Sequence, residues 1–185
     1  RVRQAMAELD VQIARIAGWE ETIDTLGQEL PEIEELRREI PGLGQVLAAV
    51  VAAESGPIDR FESAKQYGGY TGLAPSDRSS GGRTLHGAIS REGNATLRWA
   101  LHEAIVACQK AKKGAARAVG DWVRRRTRRM GHVQKARCAA ARKLAETIWR
   151  YINLGEWINY NSYAVWDSQR LEVKFFEYEA GRVFG

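Results

Sequence analysis

Apolar residues recur at spacings of three and four from the start of the chain. Val2, Met6, Leu9, Ile13, Ile16, Trp19, Ile23, Leu26, Leu30, Ile33, Leu36 and Ile40 form one stripe, with Glu, Gln and Arg elsewhere. That period is helical. A stripe so narrow and long predicts a coiled-coil arm or helical hairpin over residues 1–39. Pro31 has no backbone N–H to donate, so the helix should end or kink near Leu30. A further helix is predicted from Gln45 to Glu54, ended by Ser55-Gly56-Pro57, and a short one from Ser63 to Tyr70, stopped by Thr71-Gly72. Leu73 to Gly93 is rich in Gly, Ser, Pro and Arg and reads as a loop or small hairpin. Asn94 is placed to cap a helix that runs to Lys112 with Leu97, Leu101, Ile105 and Cys108 on its inner face. Helices over Ala115–Arg129 and His132–Asn153 follow, parted by Gly131, and the second should turn Val133, Ala140, Leu144, Ile148 and Tyr151 inward. Beyond Gly155 the period is lost, and only Leu171–Tyr178 reads as a strand. The expected fold is mainly α. It comprises a coiled-coil arm over 1–39, a helical domain over 40–160 with a helix-hairpin-helix and a Gly/Ser-rich loop or small hairpin, and a tail over 161–185 to which no role is assigned.

Charge divides this pattern. Residues 1–62 carry 13 Asp and Glu against 6 Lys and Arg, whereas residues 80–150 carry 17 Lys and Arg against 4 Asp and Glu. The whole-chain net charge of +5 hides that asymmetry. A segment so basic repels itself unless it is solvated or neutralised by a polyanion, which points to nucleic acid as partner. Hydrophobic residues at 44% and charged residues at 28% indicate a globular chain rather than a disordered one. The two cysteines, Cys108 and Cys138, have neither metal-ligand spacing nor close partners, so a reduced, cytoplasmic setting is expected. No apolar run is long enough to cross a bilayer and no signal peptide is evident, so no membrane partner is expected.

Four segments carry candidate chemistry. In Ile40-Pro41-Gly42-Leu43-Gly44, two glycines flank an apolar residue just before a helix N-terminus. Gly42 and Gly44 would let the backbone approach a phosphate, as in a helix-hairpin-helix, although an ordinary Gly-rich turn has the same spacing. In Arg78-Ser79-Ser80-Gly81-Gly82-Arg83, a serine stands beside glycines that leave room for a phosphodiester. Arg78 and Arg83 would neutralise its oxygens, and backbone N–H groups at Gly81 and Gly82 would add donors. Without that context, the same residues would be a flexible loop. In Gly87-Ala88-Ile89-Ser90-Arg91-Glu92-Gly93-Asn94, Arg91 and Asn94 lie at a turn feeding a helix start and are candidate DNA contacts. Arg124-Arg125-Arg126-Thr127-Arg128-Arg129 puts five arginines in six residues, more than a solvated face needs, and Arg124, Arg125 and Arg126 are expected to meet phosphates. No residues in the chain are expected to hold a metal.

These segments occur in a fixed order with Asp59-Arg60-Phe61 and Tyr70-Thr71-Gly72-Leu73-Ala74-Pro75 between them. The ordered set resembles the C-terminal transposase domain of the insertion-sequence one-ten family, which also includes Piv-type DNA invertases. The likeness covers roughly Ile40 to Tyr160. It implies a DNA transposase or recombinase whose nucleophile is Ser80 or its neighbour Ser79, linked to DNA as a phosphoserine. It also implies a RuvC-like partner domain with a divalent metal, Mg, a coiled coil mapping onto Arg1–Glu39, and in several members a structured guide RNA. Homo-oligomerisation through the coiled coil is expected. No RuvC-like segment stands before the coiled coil in this sequence, so the chain is expected to be a fragment or degenerate copy and inactive in isolation. Two other readings use the same residues: a non-catalytic helix-hairpin-helix module that binds DNA or RNA, and a coiled-coil assembly domain without chemistry.

Overall fold

A computed structural model describes residues 1–80, 83–153, 162–167 and 172–177. The fold is mainly α. The helices are α1 (Val2–Glu29), α2 (Pro31–Glu39), α3 (Gln45–Ser55), α4 (Ala64–Tyr70), α5 (Ala95–Lys110), α6 (Gly114–Met130) and α7 (Val133–Asn153). Strands β1 (Pro75–Ser80) and β2 (Arg83–Ile89) form one antiparallel hairpin, and β3 (Ser162–Asp167) and β4 (Glu172–Glu177) pair as another. The second pairing contains the strand expected near Leu171–Tyr178 and adds β3, which its scattered aromatics did not reveal.

The break near Leu30 follows from Pro31. Leu30 takes an extended conformation, and Pro31 becomes the first residue of α2, where a missing N–H costs nothing. Glu32 and Glu34 in the first turn of α2, with Arg37 and Arg38 in its last, oppose the helix dipole. This break also divides the apolar stripe into two fates. Ile33, Leu36 and Ile40 are buried in the core of the chain itself. In α1 only Gly27 is buried. Val2 is 76% exposed and Trp19 68% exposed, and Met6, Leu9, Ile13, Ile16 and Leu26 are exposed with them.

The core is built around α5. Leu97, Leu101, Ala104, Ile105 and Cys108 are fully buried, as their spacing of three and four predicts. Around them pack Ala48 and Val51 of α3, Tyr67 of α4, Val119 and Val123 of α6, and Ala136, Ala140, Ala141, Leu144, Ala145 and Ile148 of α7. The run of alanines lets α7 lie close to its neighbours. Val133, expected to face inward, is exposed in the first turn of α7, before the helix reaches the core. Two polar residues are accommodated by pairing: Ser55 Oγ and Tyr67 Oη share a 2.6 Å hydrogen bond. Burial pushes Tyr67 up to about 12 and Cys108 to about 12 as well. No described helix is long and apolar enough to cross a membrane.

Candidate nucleic-acid site

The β1–β2 ladder pairs Ser80 with Arg83, Ser79 with Thr84, Arg78 with Leu85 and Asp77 with His86, with an irregularity between Pro75 and Asp77. Ser80 thus stands opposite Arg83 in the ladder, two positions along β1 from Arg78, and Ser79 stands opposite Thr84. Gly81 and Gly82 lie outside the described residues.

The root of this hairpin is fastened to the helical core by a compact network. Ser90 N–H donates to Ala74 O (2.9 Å), Arg91 N–H to Gly72 O (3.2 Å) and Asn94 N–H to Tyr70 O (2.8 Å), so the ladder continues below the strands. Gly93 is required at this crossing. Its φ is +155°, and a Cβ there would collide with Tyr70 O and sit 2.7 Å from Gly72 N. Asn94 then works on three sides. Its Oδ1 accepts from Leu97 N–H (2.9 Å), capping α5 as expected. Its Nδ2 donates to Glu54 Oε2 (2.6 Å) and to Tyr70 Oη (3.2 Å). Tyr70 Oη in turn donates to Glu54 O at 3.2 Å. Arg98, one turn into α5, donates from Nη1 to Thr71 O (3.1 Å). Hydrogen bonding from Asn94, and then from Arg60, holds the Tyr70 phenol below its ordinary value. Asn94 was expected to touch DNA; here its side chain is engaged in fixing the hairpin root. Glu54 and Arg98 were not singled out from the sequence, because their partners are distant along the chain.

Arg91 is exposed at this root with φ +57°, the only non-glycine residue with positive φ among those described. That conformation costs about 1–2 kcal/mol. Arg91 lies close enough to Cys138, with Arg98, for both cations to oppose the upward shift that burial gives that thiol.

The turn from Ile40 to Gly44 behaves differently from its sequence reading. Gly42 has φ +85°, but the close backbone approach it permits is made by α5: a Cβ there would collide with Ala104 O and lie 2.7 Å from Cys108 Sγ. The approach expected from a phosphate is thus occupied by the protein's own helix. Gly44, the N-cap of α3, has open space where a Cβ would stand and is exposed.

The arginine cluster also divides. Arg124 donates from Nε (3.1 Å) and Nη2 (2.7 Å) to Asp121 Oδ1 and from Nη1 to Gln109 O (3.1 Å). Asp121 also accepts from Arg117 Nε at 2.9 Å. Hydrogen bonds from Arg124 and then Arg117 keep the Asp121 carboxyl below its usual range. Three of the five guanidinium N–H donors of Arg124 are thus engaged within the chain. Arg126 is half-buried 5.7 Å from the Trp122 ring, and its Nε has no partner. Arg125, Arg128 and Arg129 are exposed. Among the described residues no group of three His, Cys, Asp or Glu side chains is placed to hold a metal ion.

Residues 34–121 match the family described as Transposase IS116/IS110/IS902. The chain carries a domain of that family. The matched span runs from α2 to the middle of α6 and includes the serine hairpin and its root. Over 111 residues the chain is 33% identical to the transposase for insertion sequence element IS1328 of Yersinia enterocolitica, covering 60% of this chain and 33% of that protein. It is 32% identical to the transposase for insertion sequence element IS1111A of Coxiella burnetii, covering 63% of this chain and 32% of the relative. A probable family 20 transposase of Pseudomonas aeruginosa is 30% identical over 156 residues, 82% of this chain and 44% of that protein. The chain thus spans about a third to under half of the length of these curated relatives. The family was legible in the ordered motifs because each fixes a turn or helix start: Gly42, Thr71-Gly72, Gly93 and Asn94 all stand where the backbone makes a tight or capped approach.

Proposed function

We propose that the chain is the serine-bearing portion of a DNA transposase or site-specific recombinase, with Ser80 as nucleophile. The observation that supports this reading is the hairpin register, in which Ser80 pairs with Arg83 and follows Arg78 by two positions. Family membership and the rigid fastening of the hairpin root support it. In this reading Ser80 Oγ attacks the phosphorus of a DNA strand. A new O–P bond forms as the bond to one deoxyribose oxygen breaks; that oxygen takes up a proton, and the serine gives one up. The phosphodiester becomes a phosphoserine ester of similar energy, so the strand can be rejoined without ATP. Arg78 and Arg83 neutralise the charge that develops on the phosphoryl oxygens. Ser79, paired with Thr84 in the ladder, is the second candidate.

The divalent ion expected from the family belongs in this reading to a RuvC-like domain. DNA is the primary partner, met through Arg91 and the exposed arginines of α6. A structured guide RNA and a second copy of the chain, joined through the exposed stripe of α1, are the further partners proposed. The test is a covalent complex between the protein and a labelled, nicked DNA, formed with the RuvC-like domain supplied. Ser80→Ala should abolish the complex and leave DNA binding intact. A complex that survives Ser79→Ala/Ser80→Ala would end the serine mechanism.

A further inference from the structure

Arg60 lies just after α3, at the end of a short 3-10 turn over Ile58–Arg60. It is exposed, yet its guanidinium is not free to wander. Its Cζ sits 4.6 Å from the Phe61 ring centroid and 4.8 Å from that of Tyr70. The two rings are themselves packed, with centroids 5.1 Å apart. A guanidinium held against two aromatic faces and hydrogen-bonded to the Tyr70 phenol has surrendered much of its rotational freedom before any ligand arrives, and a guanidinium carries more N–H donors than that one bond uses.

Its charge is also uncompensated. No carboxylate forms an ion pair with Arg60 among the described residues, although Asp59 and Glu62 are near it in sequence. Glu54, the acid nearest in the same network, gives its Oε2 to Asn94 at 2.6 Å instead. A cation placed only to cover Phe61 and Tyr70 would gain from such a partner. Tyr70 fixes where this cation lies, because its hydroxyl bonds to Asn94, the cap of α5 and the last residue of the hairpin root. Arg60 is thus one side chain away from the root that bears Arg91.

We propose that Arg60 is a further DNA-backbone contact of this domain, a preorganised fork that binds a phosphate of the duplex at the root of the serine hairpin. This rests on the DNA-binding reading above. The ligand chemistry is a phosphodiester; the partner is duplex DNA, engaged without regard to sequence, as phosphate contacts are.

The experiment measures binding of the chain to a labelled duplex oligonucleotide as salt is raised. Each phosphate neutralised contributes about 0.9 to the slope of log affinity against log salt. Arg60→Gln should lower the wild-type slope by about that amount, while Arg3→Gln, which removes one positive charge from α1, leaves it unchanged. Arg60→Lys should keep the slope and weaken binding, because an ammonium keeps the charge but loses the flat, forked contact. The Lys variant also covers the case in which Arg60→Gln fails to fold. A purely structural role would lower the unfolding temperature of Arg60→Gln and leave its slope equal to wild type, and that result overturns the proposal. So does Arg60→Lys binding with wild-type affinity. A wild-type chain whose binding is absent or indifferent to salt fails at an earlier step, since it refutes the DNA-binding reading itself.

Discussion

Replacing Asn94 tests whether the hairpin root is held as described. Asn94→Ala removes the cap of α5, worth about 1 kcal/mol. It also strands the Glu54 carboxylate, which loses a 2.6 Å donor in a half-buried position. A hydrogen bond to a charged group contributes about 1.5–3 kcal/mol, and solvent near Glu54 discounts that to the lower end. The combined loss is about 2 kcal/mol, which for a chain of this size lowers the unfolding temperature by about 4–8 °C. Asn94→Ser keeps a capping oxygen and should lose roughly half as much. Asn94→Asp keeps the cap too, but sets a carboxylate against Glu54 where an amide donor stood. The two cannot both ionise at that separation without cost, so the introduced carboxyl keeps its proton to higher pH in the folded chain than in the unfolded one. A carboxyl whose folded value is raised destabilises as pH rises through it. The deficit of Asn94→Asp should therefore be small near about pH 4 and should exceed that of Asn94→Ser by about pH 7. Thermal unfolding followed by far-UV circular dichroism across that range reads all three. Asn94→Ala melting within about 1 °C of wild type, or Asn94→Asp and Asn94→Ser tracking each other at every pH, would refute the network.

Gly42→Ala and Gly44→Ala separate the two glycines of the Ile40–Gly44 turn. The first, at φ +85° and against Ala104 O, should cost at least about 2 kcal/mol by thermal unfolding, and the second, with open space, close to nothing. For α1, Leu9→Glu/Ile16→Glu should convert an oligomer to a monomer in sedimentation at tens of micromolar, roughly the range of weak coiled coils, without lowering the stability of the core; a wild-type chain that is already monomeric there contradicts the pairing.

Helix ends and fold class were legible because single residues set them. Pro31 breaks the arm, Asn94 caps α5 and Gly131 ends α6, each through a local backbone rule. The Gly-rich stretch before Asn94 was legible as a loop or hairpin for the same reason. What stayed hidden depends on partners far along the chain. Val2 and Ile33 share one periodic stripe, yet only Ile33 has a core to enter, because α3 and the helices beyond it cover α2 and not the first turns of α1. Gly42 showed that a backbone comes close, but not that the backbone is that of α5. Arg124 and Arg125 are adjacent and alike in sequence, and a helical turn gives one of them Asp121 and Gln109 while leaving the other in solvent. The link between Glu54 and Asn94 joins residues forty positions apart, which no local spacing announces.

In the proposed reaction DNA becomes covalently attached at Ser80. Arg78 and Arg83 give it a convenient address, because tryptic cleavage after each releases the peptide Ser79-Ser80-Gly81-Gly82-Arg83. The chain, supplied with the RuvC-like domain proposed for it, is incubated with a nicked substrate, quenched in acid, and digested with trypsin and nuclease. Mass spectrometry should find this peptide carrying a nucleotide phosphate, with fragment ions placing the added mass on Ser80. Modification on Ser79 would move the nucleophile one residue, to the position paired with Thr84 rather than Arg83. An unmodified peptide, recovered from a reaction in which strands have been transferred, would contradict the account.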